Sequence, residues 1–96
     1  HLAIAIKYDP DKNLAPVVLA KGQDELALKI VEVGEEHHIT AIENKPLARA
    51  MYPLCKVGQE IPGDFYGAVA ESLVYIYRKE NRQDILEKAK EEDRNA

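Results

Sequence analysis

The chain has 96 residues, 46% of them hydrophobic and 31% charged, and 17 Asp and Glu outweigh 13 Lys and Arg for a net charge of −4. That length supports one domain around one core, and the acidic balance argues against phosphate-backbone binding, which needs clustered cations. The single cysteine, Cys55, excludes an internal disulfide, and no apolar run approaches the ~18 residues of a membrane span or forms a signal peptide.

Leu2, Ile4, Ile6 and Tyr8 alternate with Ala3, Ala5 and Lys7, the period of a strand with one buried face. "DPDKN" (9–13) breaks it with turn-forming Asp, Asn and Pro. "PVVLAKG" (16–22) reads as a second strand, so the two are expected to form a hairpin with a fairly long loop. Over 23–38 the period becomes helical, with Ala27, Ile30, Val31 and Gly34 on one stripe and Asp24 and Glu25 in the first turn, where carboxylates suit the helix dipole. Gly34 within that stripe predicts close packing against a sheet.

"ITAIEN" (39–44) reads as a third strand, and "KPLARAMYPL" (45–54) as a short helix opened by Pro46 and ended by Pro53. A connector over 55–64 has room for a short extended piece at Cys55–Val57. Phe65, Val69, Ser72, Leu73 and Ile76 then mark an amphipathic helix over 64–81. Beyond Asn81 charges crowd around Ile85, Leu86 and Ala89, which predicts a helical extension fraying into a solvated tail. The expected fold is a single α/β domain: a small mixed sheet of about four strands packed with about four helices, the folded part at 1–80 and the tail at 81–96. The strand–helix–strand crossover through 23–38 should be right-handed if its strands are parallel. Leu2, Ile4, Ile6, Val17, Ile30, Ile42, Val69 and Leu73 are the expected core.

Few residues suggest chemistry. His37 and His38 are adjacent, so on a helix they point about 100° apart and make a poor metal pair; a helix C-terminus accounts for them as well. Cys55 is a nucleophile only beside a base such as His1, His37 or His38, and otherwise a small buried hydrophobe. Gly22, Gly58, Gly63 and Gly67 form no phosphate-cradling loop, and Tyr66, Tyr75 and Tyr77 make no stacking platform on an acidic chain. Arg49 lies on the 45–54 helix among Leu47, Ala50 and Met51, where a pair with a carboxylate such as Glu43 is the simplest role. No metal or cofactor site is expected, and the lack of a catalytic constellation favours a binding or docking module.

Four stretches in order, "HLAIAIKYD", "APVVLAKGQDELALKI", "ENKPLARAMY" and "VGQEIPGDFYGAVAESLVYIY", resemble the cytoplasmic domain of the FlhB/YscU family over about residues 1 to 78. "PLARAMY" and "VGQEIP…AVAE" are the specific parts, and "AKGQDELALKI" with the final helix resembles the flagellar branch. The resemblance implies a substrate-specificity switch of type III secretion, the soluble part of a protein whose upstream half is a membrane domain. It places the chain on the cytoplasmic side of the bacterial inner membrane. In the family the first strand follows Asn-Pro-Thr-His, and His1 matches the last position of that motif.

Family members cut their own backbone between that Asn and Pro. The Asn amide attacks its own carbonyl to form a succinimide. The proline has no N–H, so the competing attack from the next nitrogen is blocked. The His1 position supplies an imidazole that can carry protons to the leaving amine. This chain lacks the Asn-Pro bond, so no self-cleavage and no enzyme activity is expected of it; any membrane segment would lie ahead of His1, which stands where a natural start carries Met.

The resemblance further implies that the cut fragments stay associated while the docking surface changes. The implied partners are the N-terminal fragment of the same protein, export substrates, a length-control ruler protein, and other export-gate and ATPase-complex components, without nucleic acid. The edge around His1 is the expected switch surface, and Pro46, Leu47 and Arg49 form a second expected docking face. Two alternatives remain: a stand-alone soluble adaptor of the same family without the membrane half, and a small enzyme using Cys55 with a histidine.

Overall fold

The computed structural model describes residues 1–9, 11–12 and 15–95, with side chains as far as Asn81. Strands β1 (Leu2–Lys7) and β2 (Val17–Gln23) pair antiparallel in a two-stranded sheet, as the two alternating runs predicted. The turn after β1 is set by Asp9, whose side chain accepts from the Asp11 N–H at 3.1 Å while its carbonyl accepts from Lys12. Pro10 and Asn13 of the predicted turn lie outside the described residues.

The ladder slips by one residue. Ala5 faces Ala20 but Ile6 faces Val18, so Leu19 has no opposite residue and forms a β-bulge. The slip changes which β2 side chains share a face. Beyond it, Ala3 and Ala5 lie opposite Gly22 and Ala20, giving one face made of small residues. Helix α1 (Asp24–Glu36) packs on this face through Ala27, and a Cβ placed on Gly22 would sit 2.5 Å from Cγ of Leu26. The other face carries Ile4, Ile6 and Val18 into the core, and the same parity brings Lys21, opposite Ile4, to that side.

Helix α1 ends in a Schellman motif. The N–H of Ile39 donates to the Gly34 carbonyl at 2.8 Å, that of His38 donates to Glu35 at 3.1 Å, and His38 takes a left-handed φ of 59°. Helix α2 (Lys45–Met51) starts at Asn44, whose side-chain oxygen accepts from the Leu47 N–H at 3.2 Å, with Pro46 in the first turn. These two caps explain why 39–44 is not the predicted third strand. Ile39 closes one helix and Asn44 opens the next, so four residues remain between them. Ile39 and Ile42 are also three apart, which is not a strand period. Ile42, expected in the core, is 38% exposed. Without this strand the described residues hold no parallel crossover, and the expected four strands and four helices reduce among them to two strands and three α-helices.

The connector after α2 replaces a strand in part. It runs along the free edge of β2, with Val18 N–H donating to the Gln59 carbonyl at 2.9 Å, Gly58 N–H to Val18 at 2.7 Å and Ile61 N–H to Pro16 at 2.9 Å. The extended piece therefore lies around Glu60, which bridges to Val17, past the predicted Cys55–Val57. Gly58 turns the chain into it with φ 86°, a conformation that favours glycine. A single 3₁₀ turn (Gly63–Phe65) leads into helix α3 (Tyr66–Asn95). The side chains of the predicted solvated tail lie outside the described residues.

The core is Val18, Met51, Cys55, Ile61 and Val69, flanked by Ile4, Ile6, Leu47, Phe65 and Leu73. Leu2, Val17 and Ile30, expected in the core, are half-buried and lie outside this cluster. The Thr40 hydroxyl donates to the Glu80 carboxylate at 3.2 Å, tying the α1–α2 segment to α3. The result is a mixed α/β domain with α1 on one face of the hairpin and the other helices on the other.

Candidate functional site

His1 sits at the open end of the hairpin, where β2 passes into α1. Its carbonyl accepts from the Asp24 N–H at 2.8 Å, and its backbone nitrogen lies 3.6 Å from the Asp24 carboxylate. Asp24 itself has φ 54°, a left-handed value that Asp tolerates better than most residues. The His1 backbone is thus held against a sharp turn while its side chain is exposed.

The α2 face divides. Leu47 turns inward against the core, which removes it from the expected docking surface and makes it the anchor of α2. Pro46 and Arg49 stay exposed. Arg49 is not the partly buried partner of Glu43: that carboxylate lies 3.6 Å from Lys45 instead. One turn beyond Arg49, Tyr52 accepts a hydrogen bond at its carbonyl from the Lys21 ammonium at 2.9 Å, and the ammonium lies 4.8 Å from the centre of its ring. Lys21 reaches Tyr52 only because the Leu19 bulge puts it on the core side of β2.

Cys55 is fully buried. Burial pushes its thiol pKa up, and the nearby Lys21 ammonium offsets part of that rise. A buried, protonated thiol is a poor nucleophile, so the small-enzyme reading loses its centre. His37 and His38 are exposed at the end of α1. Among the described residues no group of three His, Cys, Asp or Glu is placed to hold a metal ion, and no helix is long and apolar enough to cross a membrane.

A feature the sequence reading missed is a cleft of about 200 Å³ lined by Tyr8, Ala15, Pro16, Tyr66, Ala70 and Leu73. Tyr66, Ala70 and Leu73 are spaced i, i+4, i+7 on α3 and form one wall; Tyr8, just after β1, and Ala15–Pro16, just before β2, form the other. The small side chains of Ala15 and Ala70 leave the space open, and the two tyrosines are partly apolar with a polar tip. The α3 spacing was visible in the sequence, but nothing there showed that Ala15–Pro16 would face it.

A family model described as the FlhB HrpN YscU SpaS family matches residues 1–76. The flagellar biosynthetic protein FlhB of Bacillus subtilis is 45% identical over 82 residues, covering 85% of this chain and 23% of the relative. That of Aquifex aeolicus is 49% identical over the same length, with the same shares. The chain thus spans about a quarter of the length of these relatives. The crystal structure of the cytoplasmic domain of FlhB from Shewanella putrefaciens is similar at TM-score 0.77 and 45% identity, over 80% of this chain and 62% of that one.

Crystal structures of the EscU C-terminal domain, 37–38% identical to this chain, include ones substituted at an asparagine, at a histidine three residues after it, and further on at an arginine and a tyrosine three residues apart. In this chain Arg49 and Tyr52 have that same spacing, and they stand as far from His1 as that arginine and tyrosine stand from that histidine.

Proposed function

Because the chain belongs to the FlhB HrpN YscU SpaS family, we propose that it is the cytoplasmic domain through which a flagellar export apparatus receives its substrates and changes their class. The observation that carries the docking part is the cleft between Ala15–Pro16 and the Tyr66–Ala70–Leu73 wall. It is small and lined by the apolar Ala15, Pro16, Ala70 and Leu73 together with Tyr8 and Tyr66. That suits a short segment of an unfolded export substrate that inserts one or two apolar side chains and bonds its backbone to the rim.

The switching part rests on His1. The backbone is fixed by Asp24 from the strand–helix junction, and a fixed backbone is what an intramolecular attack just upstream requires. Cleavage of an Asn-Pro bond ahead of His1 frees that edge and alters the surface offered to substrates and to a length-control ruler protein. The N-terminal fragment stays bound, and the domain works on the cytoplasmic side of the inner membrane with other export-gate and ATPase-complex components. The exposed Pro46 and Arg49 form a second docking face.

The test separates the two parts. Ala70→Asp, placed in a full-length protein carrying this domain, is expected to cut secretion of early, rod- and hook-type substrates by about tenfold, the effect of losing ~1.4 kcal/mol of docking, while the protein level stays normal. Unchanged secretion would remove the cleft from the mechanism. Expression of the domain with the residues that precede His1 is expected to yield two associated fragments by intact mass, and one uncut chain would remove the switch.

A further inference from the structure

We infer that the face of α2 from Lys45 through Arg49 to Tyr52, with Lys21 at its edge, binds a carboxylate-rich segment of a partner protein. Lys45, Arg49 and Tyr52 are spaced i, i+4, i+7 and share one side of α2 and its following turn. Helix α2 contains no acidic residue, whereas the chain as a whole carries −4. Leu47 points into the core, so the outer surface of the helix is left to Pro46, Lys45 and Arg49.

Two of the three cations there lack a counter-charge among the described residues. Among the described residues neither Arg49 nor Lys21 has a carboxylate within 4.0 Å. Lys21 is partly buried and held by a carbonyl and a ring face, neither of which neutralises it. Lys45 has Glu43 at 3.6 Å, with both side chains well exposed, a pair weak enough for an incoming acid to displace. Two anchored features lower the cost of binding: Tyr52 fixes the Lys21 ammonium, and the Asn44 cap fixes the start of the helix.

The span from Lys45 to Tyr52 is about 10 Å along the helix, the length of about three extended residues. Two carboxylates in such a segment reach Arg49, which takes one in bidentate fashion, and Lys21 or Lys45. Nucleic acid is the poorer occupant, since the net negative charge of the domain opposes it beyond the immediate contact. This inference rests on the chain being a docking domain, but it is tested on the purified protein, whereas the docking function is tested by secretion, so each can fail alone.

The probe is a short fluorescein-labelled peptide alternating Asp and Ala, compared with its Asn counterpart, with binding to the 96-residue chain followed by anisotropy across a NaCl series. The acidic peptide is expected to bind at least about tenfold more tightly than the Asn peptide at low salt, and to lose that advantage at high salt. Arg49→Glu is expected to weaken it about tenfold and Lys45→Glu several-fold, with circular dichroism showing the helices intact. Lys29→Glu, the same change of net charge on α1, is expected to change it less than about twofold. Equal losses in the α1 and α2 variants, or equal affinity for the two peptides, would overturn the inference.

Discussion

The Lys21 ammonium closes the gap between β2 and α2 by donating to the Tyr52 carbonyl at 2.9 Å while lying 4.8 Å from the centre of the Tyr52 ring. A backbone carbonyl just past a helix end is one of the acceptors the helix itself cannot satisfy. Replacement by Lys21→Met keeps most of the apolar stem but removes the donor and the charge. The expected cost is about 1–2 kcal/mol, read from the urea midpoint with the slope of the transition unchanged.

Cys55, buried near Lys21, makes stability depend on pH at the alkaline end. Its thiol pKa is raised in the folded state above the reference value of 9.0, chiefly by burial. The folded state therefore holds the proton more tightly than the unfolded state. Its contribution is fully present below the unfolded pKa and is lost as pH rises from there through the folded pKa. Stability is expected to fall above about pH 9, and to fall less steeply in Cys55→Ala than in the parent, although that variant starts lower. Denaturant titrations at a series of alkaline pH values measure the two slopes. A thiol reagent near neutral pH should react at the rate at which the domain opens.

Gly22 is where α1 comes closest to the sheet. A methyl group there would meet Leu26 Cγ at 2.5 Å and Leu26 Cβ at 2.9 Å. The clash falls near the root of the leucine side chain, where rotation gives little relief. Gly22→Ala is expected to destabilise by about 1–3 kcal/mol, and Gly22→Ala with Leu26→Ala should recover part of the loss. A double-mutant cycle by thermal unfolding gives the coupling.

The end of α1 behaves in the opposite way. Gly34 does not mark close packing on a sheet, since the one atom near an added Cβ is Ile39 Cβ at 3.9 Å. Gly34→Ala therefore supplies the apolar contact that usually accompanies this type of helix end and is expected to stabilise by up to about 1 kcal/mol. His38→Gly, which relieves φ 59°, is expected to add about 1 kcal/mol more. For a domain of this size each step raises Tm by roughly 4–8 °C.

The hairpin, the helical stripes at 23–38 and 64–81, and the proline-started helix at Lys45 were legible in the sequence because each is a local pattern: alternation, a period near 3.6, or a cap. The stretches from "HLAIAIKYD" to "AVAESLVYIY" also carried the family, because specific strings along the chain survive without any knowledge of contacts. The strand predicted at 39–44 failed because a short apolar string says nothing of neighbouring caps, which here leave too few residues to pair. The side of β2 on which Lys21 emerges was decided by a one-residue bulge, since every side chain beyond a slip changes face. The cleft at Ala15, Pro16 and Ala70 and the cationic stripe beside Tyr52 each join segments far apart in sequence. Such sites exist only once long-range packing has fixed which surfaces meet.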